Sequence, residues 1–156
     1  MTTTKPELHD FLNFRIEVLN HIAKQTASEA YRRHCGVTLN DLRILRLVGH
    51  HAGISQGPLA KLAYIEKTMV SKLITGLVKR GLVERRIGVD DARQVNLFLT
   101  PEGETLLARA DVIGAHMNRS LVSVLSPEEQ EIFERCIEKL MEKAKADSGF
   151  LEGFAF

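Results

Sequence analysis

Only two of the 156 residues are cysteines, Cys35 and Cys136. That is too few for a disulfide framework, so a reducing, cytoplasmic setting is the default expectation. No run of apolar residues approaches the roughly 18 needed to span a bilayer, which argues against a membrane protein. The opening Met1-Thr-Thr-Thr-Lys-Pro lacks the charged-then-apolar layout of a secretion signal. A glycine-rich phosphate loop, a nucleophile elbow and a metalloprotease helix are all missing, so the expectation is a protein that is not an enzyme and needs no cofactor. The adjacent carboxylates Asp90 and Asp91 suit a turn better than acid–base chemistry. Internal repeats and low-complexity segments are absent as well.

Charge is present but unevenly placed. The chain carries a net +1, yet residues 55–95 hold eight Lys/Arg against four acids, and residues 96–156 hold six against eleven. A basic middle followed by an acidic end is what a chain shows when one segment faces phosphates and another does not.

Apolar spacing organises the rest. Leu12, Ile16, Leu19, Ala23, Ala27 and Ala30 recur at helical intervals within a first helix expected over Glu7 to Arg33. A second row, Phe11, Phe14, Val18 and Ile22, runs beside it, so this helix is expected to be covered on more than one side. Thr38 caps a helix through about Val48, with Leu42, Leu45 and Val48 inward. Ser55 reads as the cap of a short helix, Gln56 to Ala63, with Pro58 in its first turn. A further helix runs from Glu66 to Arg80 and ends at Gly81. The period then changes to a strand over 82–86, a turn over 88–92, and an alternating return strand containing Val95, Leu97 and Leu99. Thr100-Pro101 and Ser126-Pro127 are start signals for two more long helices. The fold class is therefore mainly α: a winged helix-turn-helix with a two-stranded wing and long N- and C-terminal dimerisation helices. The boundaries are 36–100 for a DNA-binding lobe, with 1–35 and 101–156 as a helical dimerisation region.

Wound at 100° per residue, the 66–80 helix gathers Val70, Leu73, Ile74 and Leu77 on one side, with Thr68, Ser71, Lys72, Thr75 and Lys79 opposite. Hydroxyls can donate to or accept from base edges, and lysines reach guanine acceptors or phosphate. Because the second helix of such a motif meets the bases through its N-terminal residues, Lys67, Thr68, Met69, Ser71 and Lys72 are the main candidates, followed by Thr75. Ser55 and Gln56 begin the preceding helix, where free backbone N–H groups hold phosphate. Arg85 and Arg86 on the first wing strand, and Asp91 and Arg93 at the tip, complete the DNA set. An arginine at the tip can enter a minor groove, and a carboxylate two residues earlier can hold it or merely staple the turn.

The runs Leu62-Ala63-Tyr64-Ile65-Glu66-Lys67-Thr68-Met69-Val70-Ser71-Lys72, Leu77-Val78-Lys79-Arg80-Gly81-Leu82-Val83, Asp91-Ala92-Arg93 and Leu99-Thr100-Pro101-Glu102-Gly103 resemble the MarR family of bacterial regulators. Ala92 stands where that family often carries the first of two arginines. The resemblance implies a triangular homodimer, with the first, fifth and sixth helices intertwined. It further implies that two lobes bind a pseudo-palindromic duplex DNA operator, and that a small molecule releases it. The run Leu8-His9-Asp10-Phe11-Leu12-Asn13-Phe14-Arg15 resembles a subgroup tied to hydroxycinnamate and related aromatic acids, although Leu42 stands where many of its members carry tryptophan. The implied effector is an aromatic carboxylate or its thioester, with Arg15, Phe11, Asn20 and Arg46 as the ligand set. Arg15 pairing with an acid across the dimer is the alternative. A redox switch at Cys35, or zinc held among His34, Cys35, His50, His51 and His116, is the other reading of the same fold. No tight ligand spacing unites those five residues.

Overall fold

The computed structural model describes residues 7–87 and 95–147. A 3-10 turn at Leu8–Asp10 precedes α1 (Leu12–Cys35), and α2 (Leu39–His50) follows. Next come β1 (Ile54–Ser55), α3 (Gln56–Ala63) and α4 (Lys67–Lys79), then β2 (Val83–Ile87) and β3 (Val95–Leu99). Two long helices, α5 (Pro101–Val122) and α6 (Pro127–Ala146), close the described chain. The first helix is thus shorter than its apolar spacing suggests, because Phe11 is extended and breaks it from the 3-10 turn.

Local chemistry sets most of these ends. Thr38 and Asp41 form a reciprocal capping box: the Asp41 N–H donates to Thr38 Oγ1 at 3.1 Å, and the Thr38 N–H to Asp41 Oδ2 at 2.9 Å. Ser126 and Glu129 repeat the device at α6. Gly36 ends α1 in the left-handed conformation at φ 65°. Ser55 occupies the cap position of α3 but makes no side-chain cap bond, contrary to the expectation.

The expected two-stranded wing is part of a three-stranded antiparallel sheet in the order β1-β3-β2. Ile54 faces Leu97 and Ser55 faces Asn96, and the opposite edge of β3 pairs with β2 from Val83–Leu99 to Ile87–Val95. Two residues are too few to show alternation, so β1 is invisible in the sequence.

Leu42, Ile44, Leu45, Val48, Leu59, Val70, Ile74, Leu77, Val83 and Leu97 are buried in one core, inside the winged lobe. Tyr31 of α1 and Ala110 of α5 are buried against it, so α1 and α5 are docked on the lobe. Arg109 donates to the His34 carbonyl at 2.6 Å, tying α5 to the end of α1. By contrast α6 buries no residue, and Leu12, Ile16, Leu19 and Ile22 of α1 lie exposed in a row. The apolar tail at 150–156 lies outside the described residues.

Candidate nucleic-acid interface

The turn between α3 and α4 is built for a sharp change of direction. Tyr64 takes the left-handed conformation at φ 51°, and Arg43 donates to the Ala63 carbonyl at 3.2 Å. This holds the two helices at a fixed angle, with Val70, Ile74 and Leu77 of α4 in the core. The opposite flank then faces outward: Lys67, Thr68, Met69, Lys72 and Lys79 are exposed, and Ser71 and Thr75 are half-buried.

Five side-chain hydrogen bonds organise this flank. Gln56 Nε2 donates to the Lys67 carbonyl at 3.4 Å, joining the start of α3 to the start of α4. Glu66 is the N-cap of α4 rather than its first residue, and accepts from the N–H groups of Thr68 (2.9 Å) and Met69 (3.1 Å). The Thr68 hydroxyl donates to the same carboxylate. Seven residues on, Arg85 Nη2 donates to Thr75 Oγ1 at 3.0 Å, joining β2 to α4. Neither the Glu66 cap nor the Arg85–Thr75 bond follows from residue spacing; an acid just before a helix, two residues ahead of a threonine, is the available signal.

The Thr68 hydroxyl, then its backbone N–H, hold the Glu66 carboxyl below the usual carboxylate range, against slight desolvation and with help from the Met69 N–H and Lys72. A depressed folded pKa places this cap's contribution above the ordinary carboxylate pKa and removes it as pH falls through the depressed value. Protection of the Thr68 and Met69 amides from hydrogen exchange is therefore expected to persist through the ordinary carboxylate range and fail only at lower pH. Glu66→Ala should remove that protection already at neutral pH; equal protection in both proteins would refute the cap.

Arg86 is not brought to this flank. Strand alternation sends it to the other face of the sheet, beside Glu84, with its guanidinium carbon 4.4 Å from the Phe98 ring centroid. There it borders a cleft of about 530 Å3 between α2, β3 and α5, whose walls include Arg46, His50, Phe98, Leu107 and Asp111. Arg46 Nε donates to Asp111 Oδ1 at 2.8 Å and Nη2 to the Tyr31 hydroxyl at 3.5 Å. Burial works against the Arg46 charge, but those two partners outweigh it and hold the guanidinium above its ordinary range.

The ligand set read from sequence does not assemble within one chain. Tyr31 meets Arg46 near the C-terminal end of α1. Arg15 lies sixteen residues earlier, about 24 Å along the axis, with Phe11 earlier still and Asn20 between. All three are exposed. Asp91 and Arg93 lie outside the described residues. Among the described residues, no three His, Cys, Asp or Glu side chains come together to hold a metal, so His34, Cys35, His50, His51 and His116 do not gather. Cys35 is half-buried against the core and Cys136 is exposed.

A helix pair packed at a fixed angle, its second member polar outward and followed by a β-hairpin, defines a winged helix-turn-helix. Residues 37–95 match the MarR family. Transcriptional regulator HosA of Escherichia coli O157:H7 is 34% identical over 98 residues, covering 63% of this chain and 73% of that protein. The HTH-type transcriptional repressor Rv2887 of Mycobacterium tuberculosis is 31% identical over 106 residues, covering 67% of this chain and 76% of that protein. The crystal structure of an S. aureus MepR–DNA complex shares the fold with a TM-score of 0.77 at 24% identity, over 88% of this chain and 99% of that one. The structure of Rv2887 in complex with p-aminosalicylic acid does so with a TM-score of 0.69 at 24% identity, over 83% and 98%. The chain belongs to the MarR family of transcriptional regulators, and it is not an enzyme. Among the described residues no helix is long and apolar enough to cross a membrane.

Proposed function

We propose that two copies of this chain pair and present their α4 flanks to a pseudo-palindromic duplex DNA operator, most simply as a repressor. Lys67, Thr68, Met69, Ser71, Lys72 and Thr75 would meet the groove, Ser55 and Gln56 the phosphates beside it, and Asp91 and Arg93 a neighbouring minor groove. Arg85 supports Thr75 from behind, and Arg86 serves the cleft rather than DNA. The observation that carries this reading is the outward flank of α4, whose hydroxyls and lysines sit on a helix held rigidly by a buried apolar face. Residues 36–100 would form the reading lobe, with 1–35 and 101–156 pairing the copies. The bare row Leu12, Ile16, Leu19 and Ile22 of α1, and Phe133, Leu140 and Met141 exposed on α6, support pairing, because so many large apolar side chains left in water need cover.

For the effector, the cleft beside Arg46 is favoured over the α1 residues. Its volume, about 530 Å3, lies in the range of small-molecule sites, and an aromatic carboxylate or its thioester entering it would compete with Asp111 for Arg46 and with Glu84 for Arg86, beside the Phe98 ring. The p-aminosalicylic acid in the Rv2887 structure is such an acid. The purified protein should elute as a dimer at micromolar concentration and enrich a two-half-site sequence from random duplexes. Millimolar aromatic carboxylates should release that DNA from the native protein and not from Arg46→Ala. Monomeric elution, or failure to enrich any sequence, would overturn the regulator reading; release undiminished in Arg46→Ala would overturn the effector site.

A further inference from the structure

The two threonines on the outer flank of α4 are held in opposite hydrogen-bonding states. A hydroxyl has one proton to give and two lone pairs to receive with. Thr68 spends its proton on the Glu66 carboxylate, a strong ionised acceptor, so only its lone pairs remain for an outside partner. Thr75 is the converse: one lone pair receives the Arg85 guanidinium proton, while its own proton has no acceptor among the described residues. The residues are seven apart, nearly two full turns, and so share one face about 10 Å apart along the axis. That distance is about three base-pair steps at 3.4 Å each.

We propose that Glu66 makes Thr68 a specificity-determining residue that reads an exocyclic amino group of a base, adenine N6 or cytosine N4, in the major groove. This rests on the DNA-binding reading above. The only donors that base edges offer in the major groove are these amino groups; guanine O6 and N7 and thymine O4 are acceptors. An acceptor-only hydroxyl therefore rejects a base that places oxygen at its position, because two lone pairs would face each other. Thr75, polarised the other way by Arg85, is satisfied by a base carbonyl, a ring nitrogen or a phosphate oxygen, and carries no such restriction. The selectivity comes from a residue, Glu66, that need not touch DNA.

The test uses the full-length protein and operators enriched from random duplexes. Thr68→Val keeps the shape and removes the hydroxyl; at one base pair in each half-site, the enriched preference should vanish. Affinity for the native site should fall about 2- to 12-fold per half-site, as for loss of one net hydrogen bond. Replacing adenine by purine, or cytosine by 2-pyrimidinone, at that pair deletes the amino group. This should cost the native protein the same factor and cost Thr68→Val nothing further, the coupling that a double-mutant cycle measures. Glu66→Ser leaves a capping oxygen for α4 but frees the Thr68 proton, and should let guanine or thymine into the same position. The proposal is overturned if Thr68→Val shifts no base preference, if the amino-deleted duplex binds the native protein equally well, or if Glu66→Ser enriches the native sequence unchanged. A native protein that enriches no DNA would sink the regulator reading and this proposal with it, whereas normal enrichment with an indifferent Thr68 would sink this proposal alone.

Discussion

Lys72→Glu is expected to lower affinity for the enriched duplex at least about a hundredfold while the protein stays folded and paired. Lys72 is one turn beyond Thr68 on the exposed flank of α4 and takes no part in the core. A dimer carries the substitution twice, so two cations facing phosphate become two anions. Each placement of like charges across an interface costs on the order of a kcal/mol or more, and about 2.7 kcal/mol in total is a hundredfold. The dependence of affinity on salt should weaken in parallel, because about one phosphate contact is lost per half-site. Unaltered affinity would mean that this flank does not face DNA, whatever the fold. The far-ultraviolet circular dichroism and elution volume of the variant separate that outcome from simple unfolding.

Gly103→Ala should have the largest effect on stability. A Cβ at Gly103 would stand 2.1 Å from the Leu82 carbonyl oxygen, a backbone atom with little room to yield. That carbonyl accepts from the Thr100 N–H at 3.2 Å, and the Thr100 hydroxyl donates to the Gly81 carbonyl at 2.6 Å. The same hydroxyl oxygen caps α5 by accepting from the Gly103 N–H at 3.0 Å. To admit one methyl group, the start of α5 must move away from the start of β2 and strain all three bonds. Overpacking of this kind costs about 3 kcal/mol or more when the neighbour is backbone. For a chain of this length that lowers Tm by roughly 6 to 12 °C. Gly76 supplies the opposite case: it lies inside α4, and nothing is within 4 Å of its would-be Cβ. Gly76→Ala should stabilise by about 0.5–1 kcal/mol through helix propensity alone. Equal melting temperatures for native and Gly103→Ala proteins would contradict the close approach.

These two glycines also mark what a sequence discloses. The order of helices and wing follows from periodicity and caps, since Val70, Ile74 and Leu77 are buried as their spacing requires and Thr38, Thr100 and Ser126 all cap. Leu99-Thr100-Pro101-Glu102-Gly103 was legible as a family pattern. Its physical cause, a helix laid on a strand without room for a Cβ, appears only in three dimensions. Strand alternation could have separated Arg85 from Arg86 in advance, because Glu84 and Arg86 share a face with Phe98 and Arg85 takes the other. The helical rise could likewise have parted Arg15 from the Arg46 cleft. The polarities of Thr68 and Thr75 could not be read, since each depends on which of several neighbours a side chain turns toward. The two-residue strand β1 is too short to carry a periodic signal.

Most direct for the central claim is the affinity of the native protein for its enriched duplex across a salt series, with a footprint on the same fragment. With Lys67 and Lys72 of each copy placed at phosphates, four cations in the dimer, the slope of log K against log salt should be about −3.6. Protection should fall in two windows centred about ten base pairs apart, or a multiple of that, on one side of the helix. A slope near zero, or a single window protected by a single chain, would contradict it.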